Sequence, residues 1–249
     1  MLQRSKIAED LLEAMARLFG PIPGGLGISV VFVGALLAAS TGIVGATVIA
    51  MGMISLPAML RHNYSKPLAT GVICASGTLG QIIPPSIVLI ILADQLSNAA
   101  DVASNMRRAE YREANGQGVM PSEFEVVSAS AGDMFVGAFL PGTVLVGIYM
   151  LYILITAILR TGTAPPVPYD GKYDWNFAKE VILALVPPLA LIFIVLGSII
   201  LGIATVNQAG AIGAIGAIVM ASYRLSARNR WTYVPAIVTL VPVVVIALV

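Results

Sequence analysis

The chain has 249 residues and very little of what metal, redox or acid–base chemistry needs. Its one cysteine, Cys74, lies inside an apolar run, so an intrachain disulfide is impossible and a cysteine-built metal site is excluded. Its one histidine, His62, sits beside Arg61 in a short polar segment and reads as a solvated loop residue. Charged residues make up 11% of the chain, against about 25% in soluble domains. No carboxylate pair falls at membrane depth, and no His/Asp/Cys constellation or phosphate-cradling loop is present, so the chain is not read as an enzyme and no cofactor is expected. The net charge of +1 and the lack of a basic patch with interleaved aromatics give no sign of a nucleic-acid partner.

What the chain does have is apolar length. Hydrophobic residues make up 58% of it, and its 14 basic and 13 acidic residues all avoid five stretches, at 18–60, 67–93, 134–159, 181–223 and 231–249. The reading is an all-α integral membrane protein with the lipid bilayer as its solvent. The first stretch is too long for one crossing, since roughly 20 apolar residues suffice. Ser40-Thr41-Gly42 divides it into arms at 26–39 and 45–60, which form a re-entrant hairpin or two full crossings; either way both ends face the same side. The second stretch is an interrupted helix. Its first arm ends at Gly77-Thr78-Leu79-Gly80, and Pro84-Pro85 then remove two backbone donors and restrict the residues before them.

The remaining segments divide the chain. Residues 1–20 form an amphipathic interfacial helix with Ile7, Leu11, Leu12, Met15 and Leu18 on one face. Residues 21–93 hold the hairpin and the interrupted helix, and 94–130 form a polar periplasmic insertion with a short helix near 105–114. Residues 131–249 carry further spans at about 133–159, 180–203, 208–223 and 231–249, with an extended linker at 161–175 and Asp133 expected as a helix N-cap. The face Ala209, Gly213, Ala217 suits close helix packing, and Asn207 and Gln208 read as interfacial. Lysines and arginines concentrate in the loops 61–66, 160–179 and 224–230, which places that side in the cytoplasm.

Two segments carry candidate chemistry. At the first break, an unwound tip offers backbone carbonyls plus the hydroxyls of Ser40, Thr41 and Thr47 around Gly42, which suits a small hard cation. The opposing reading is a helix pair packed through small residues, with its hydroxyls bonded back to carbonyls; the length of the uncharged run favours a fold-back. At the second break, Ser76, Gly77, Thr78, Gln81, Pro84, Pro85 and Ser86 crowd polar groups and helix breakers into an apolar setting, where polar atoms without partners are costly. This segment reads as the second half of one sodium and substrate site. With no ionisable side chain at membrane depth, sodium held by neutral oxygens fits better than a proton relay.

The segment Ala75-Ser-Gly-Thr-Leu-Gly-Gln-Ile-Ile-Pro-Pro-Ser-Ile87 resembles the signature of the large membrane subunit of tripartite ATP-independent periplasmic (TRAP) transporters. Residues 40–52 resemble that family's first re-entrant hairpin, and 133–142 and 196–205 are similar to two further family segments in the expected order. The insertion at 94–130 is similar to the branch labelled mannitol/chloroaromatic. The resemblance implies a permease of the bacterial inner membrane that imports organic acids with sodium by an elevator motion. It also implies a periplasmic substrate-binding protein and a small membrane subunit as partners. The family's hairpin tip reads Ser-Gly-Ser where this chain has Thr41-Gly42-Ile43, and its Ala-Thr-Pro-Thr-Glu-Ala stands here as Ala204-Thr205-Val206-Asn207-Gln208-Ala209. The family builds its site from two inverted repeats, and this chain holds one hairpin and one interrupted helix, so it reads as a fragment or truncated copy. The alternative is a non-transporting membrane scaffold that binds the small subunit.

Overall fold

A computed structural model describes residues 7–116, 120–121, 126–167 and 174–226. Among the described residues all regular structure is helical, which matches the fold class expected from sequence. Helix α1 (Ile7–Phe19) buries Leu11, Leu12 and Met15, and packs on α2 and α7. Its Arg17 pairs with Glu13 one turn back and lies 3.7 Å from Glu180 of α7.

Helices α2 (Gly25–Thr41) and α3 (Val44–Arg61) form the hairpin, separated by Gly42 and Ile43 alone. Gly42 has φ +62°, a left-handed conformation that costs side-chain-bearing residues about 1–2 kcal/mol. The unwound tip is therefore shorter than the sequence suggested, and Ser40 and Thr41 fall in the last turn of α2. Helix α2 has no polar face, and a helix apolar all round is stable only when enclosed. It packs against α1, α3, α4 and α6, with Val30, Val31 and Val33 fully buried.

Helix α4 (Lys66–Thr78) runs alongside α2 and α3, held close by small residues. A Cβ placed on Gly34 would come within 2.6 Å of the Ser76 Cβ, and one on Gly77 within 2.2 Å of the Val48 Cγ2. A 3-10 turn (Leu79–Gln81) follows, the chain bends through 85 with the Pro84–Pro85 peptide cis, and α5 (Ile87–Asn115) begins. The interruption thus falls where the glycines and prolines put it. Beyond it the expectation needs correcting. The short helix near 105–114 is the tail of α5, because neither glycine nor proline occurs between Ile87 and Asn115 to stop the helix before Gly116.

Helix α6 (Ala131–Leu159) corrects a second expectation. Ser130, rather than Asp133, is its N-cap, and Asp133 completes a capping box from the third helical position. The Asp133 Oδ2 accepts from the Ser130 N–H at 3.0 Å and hydroxyl at 2.6 Å, while the Asp133 N–H donates to the Ser130 Oγ at 3.1 Å. After α6 the chain straps across the base of the hairpin. Ser65 N donates to Thr163 O at 2.9 Å, Gly24 N to Ala164 O at 3.1 Å, and Val167 N to Gly20 O at 2.8 Å. Two loops assigned to one membrane side by their basic residues are thereby joined.

Helix α7 (Trp175–Ile200) runs unbroken through Pro187-Pro188. Helix α8 (Val206–Ser226) packs on it through Ala209, Gly213 and Gly216. Asn207 and Gln208 open α8 and are both exposed, Gln208 within a capping arrangement. The span expected at 231–249 and part of the 161–175 linker lie outside the described residues. Among the described residues, four helices are long and apolar enough to cross a membrane: Val44–Arg61, Ile87–Asn115, Ala131–Leu159 and Phe177–Ile200.

Candidate functional site

The hairpin tip meets the interruption of the second helix. Gln81 Nε2 donates to Gly42 O at 3.1 Å, joining positions 39 residues apart. A Cβ on Gly42 would lie 3.4 Å from Ile87 Cγ1 and 3.9 Å from Pro85 O, so the tip also touches the start of α5. Two residues expected from opposite halves of the site, Gly42 and Gln81, are therefore bonded, and a third, Pro85, stands beside them.

The interruption is tied internally as well. The buried Ser86 hydroxyl donates to Gln81 O at 2.8 Å and accepts from Leu89 N at 3.4 Å, so it caps α5 and holds the 3-10 turn against it. Pro84 is fully buried and Pro85 half-buried. On the hairpin side, Ile43 O accepts both the Thr47 N–H at 3.1 Å and the Thr47 hydroxyl at 3.0 Å. Ile43 caps α3 and its apolar side chain offers no acceptor to the first-turn N–H groups of Val44, Gly45 and Ala46. The starts of α3 and α5 face this junction, and each adds the partial positive charge of a helix N-terminus.

Other expected residues separate from the cluster. Ser76 is buried against Gly34 of α2, with its hydroxyl donating to Ile73 O at 2.9 Å. Gly77 serves the close approach of α4 to Val48. Thr78 is exposed, and its hydroxyl donates to Ala75 O at 2.8 Å. The Thr47 hydroxyl bonds back to a nearby carbonyl, as the helix-packing reading of the first break required, and those of Ser76 and Thr78 bond back within α4. The side chains of Ser40 and Thr41 lie outside the described residues. Residues not singled out from sequence include Ile43, Ile87 and Val48, whose apolar side chains carry no polar signal. Thr205 and Gln208 also pair: Gln208 Oε1 accepts from Thr205 N at 2.9 Å, and Gln208 N donates to Thr205 Oγ1 at 3.4 Å. Their Thr-x-x-Gln spacing was a legible capping signature.

With this geometry in hand, comparison with known proteins decides the family. The model for "Tripartite ATP-independent periplasmic transporter, DctM component" matches residues 1–107 and 119–248. The chain belongs to that family. Curated relatives agree. It is 33% identical over 218 residues to the C4-dicarboxylate TRAP transporter large permease protein DctM of Vibrio cholerae, covering 87% of this chain and 40% of that protein. It is 30% identical over 214 residues to the protein of the same name from Rhodobacter capsulatus, covering 86% and 44%. The isethionate TRAP transporter permease protein DctMQ of Oleidesulfovibrio alaskensis is 32% identical over 80 residues, 32% of this chain and 13% of that protein. The chain thus spans less than half the length of the DctM relatives it matches. No solved structure matches it. TRAP permeases are transporters of the inner membrane rather than enzymes, in keeping with the spanning helices described above.

Proposed function

We propose that this chain is the hairpin-bearing portion of a TRAP large permease whose complete form imports a small organic acid together with sodium by an elevator motion. The observation that carries the reading is the Gln81–Gly42 hydrogen bond, which closes a hairpin tip onto a helix interruption inside an apolar setting. Sodium is favoured because the oxygens gathered there, on Gly42, Gln81 and Pro85, are neutral amide oxygens that suit a hard monovalent cation. An anionic substrate is favoured by the starts of α3 and α5, since helix N-termini attract carboxylates. The relatives' names, C4-dicarboxylate and isethionate, denote organic anions. The mannitol/chloroaromatic label has no counterpart in those names, and the substrate class is kept at a small organic acid. A small membrane subunit and a periplasmic substrate-binding protein are the partners, the former consistent with the fused name DctMQ of one relative.

The experiment is uptake into proteoliposomes by a completed permease carrying this segment, with its small subunit and binding protein. A sodium gradient should drive uptake, and Gly42→Val should abolish it. Uptake indifferent to sodium, or unchanged by Gly42→Val, would count against the assignment. Retained binding of the small subunit with no uptake under any gradient would favour the scaffold reading.

A further inference from the structure

We propose that the side-chain amide of Gln81 is a two-position switch that senses the cation at the hairpin tip. The proposal rests on the sodium reading above and concerns how that site is regulated. Gln81 Nε2 donates to Gly42 O at 3.1 Å, while the other end of the same amide, Oε1, is buried and has no hydrogen-bond partner among the described residues. Buried polar atoms are nearly always satisfied, so an orphaned acceptor beside a candidate cation site asks for a ligand.

The two ends of a primary amide have nearly the same shape and opposite polarity. In the described orientation the NH2 group, which carries partial positive charge, faces the tip carbonyl where a cation would be attracted. Turning the amide by half a revolution about its last side-chain bond would bring Oε1 beside Gly42 O, so that two oxygens converge on a cation. The main chain need not move for this. Gln81 O is held by the Ser86 hydroxyl at 2.8 Å, and Gly42 is fixed at the two-residue break between α2 and α3. The amide therefore closes the tip on its own in one orientation and closes it through the cation in the other. A glutamate could only accept, leaving Gly42 O without its donor until a cation arrived. An apolar side chain could do neither.

The test uses the full chain in lipid nanodiscs, titrated with sodium chloride against matched potassium chloride, with the unfolding midpoint as readout. Gln81→Met should weaken the apparent sodium affinity by about tenfold or more, and Gln81→Glu should tighten it by a similar factor, as expected for a charge-assisted ligand. If Gln81→Met fails to fold, side-chain amide NMR of the wild-type chain decides: its Gln81 NH2 resonances should shift with sodium and stay put with potassium. A wild-type chain that answers to sodium, with both variants half-saturating at the same concentration or the NH2 resonances unmoved, would overturn the switch and leave the sodium site standing. A wild-type chain that cannot tell sodium from potassium would remove both.

Discussion

Gly77→Ala tests the packing that brings the tip to the interruption. A Cβ at position 77 would lie 2.2 Å from Val48 Cγ2 and 3.1 Å from both Val48 Cα and N. Carbon atoms prefer about 3.5–4.0 Å, so the new methyl must displace something. Valine in a helix holds one dominant rotamer, and turning it would leave the backbone contacts unrelieved. Helix α4 must therefore move away from α3. Overpacking of this kind costs about 1–3 kcal/mol, offset by up to about 1 kcal/mol from replacing a helical glycine with alanine. With neither neighbour able to yield, a net loss of about 1–2 kcal/mol is expected, a factor of about 5–30 in the folded-to-unfolded ratio. The assay is reversible unfolding in mixed micelles followed by helical circular dichroism, comparing Gly77→Ala, Val48→Ala, the double variant and Gly45→Ala. Gly45 has open space around its Cβ position, so its alanine variant should be neutral or slightly stabilised. The double variant should recover part of the loss through a coupling of about 1 kcal/mol, within the range for residues in contact. Strict additivity, or a Gly77→Ala chain as stable as Gly45→Ala, would refute the argument.

Other outcomes follow from the same contacts. Ser86→Ala should cost about 1 kcal/mol as a lost helix cap and should also release Gln81 O, so hydrogen exchange should rise at the start of α5 before it rises elsewhere. Gly20→Ala should open the strap across the hairpin base, because its Cβ would fall 2.3 Å from Val167 O; limited proteolysis between α6 and α7 should then accelerate, and an unchanged digestion rate would show that the strap is not tight. Burial pushes the Tyr64 hydroxyl above its ordinary range, while the hydrogen bonds its oxygen receives from the backbone act the other way. Its contribution to stability is therefore fully present below pH 10 and lost as pH rises from there toward the folded-state value. Thermal midpoints should show no Tyr64-dependent slope between pH 6 and pH 9, a fall above about pH 10, and a shallower fall in Tyr64→Phe.

Much of the architecture was legible because the strongest signals are local. Charge-free runs mark what lipid must surround, and Gly42 and the Gly80–Pro85 region mark where backbone helicity fails. The basic residues of the loops at 61–66 and 160–179 predict that both lie on one side, and the strap from Thr163 to Ser65 joins them. The misreadings are local in a different way. Asp133 was taken as the cap because it is the charged residue, whereas the capping box needs serine first and the acid three positions on. The end of α5 was placed too early because polarity was read as loop, although polar residues without glycine or proline extend a helix into water without difficulty. Within the candidate site, the Ser76, Thr78 and Thr47 hydroxyls donate to carbonyls of their own helices, and the Gln81 amide bonds across the break.

Sequence alone determined the solvent this chain lives in, the two places where its helices come apart, and that the loops after α3 and α6 belong together. Each depends on burial cost or backbone geometry over a few neighbouring residues. Only the tertiary structure decided which broken ends meet, because the bond between Gln81 and Gly42 depends on α2, α3 and α4 stacking through Gly34 and Gly77. It also decided between two identical dipeptides. Pro84-Pro85 lies in the break between the 3-10 turn and α5, beside the Gly42 tip and the Ser86 cap, while Pro187-Pro188 sits inside the continuous α7. Proline removes a donor in both places; what surrounds the freed backbone determines whether the helix breaks there or carries on.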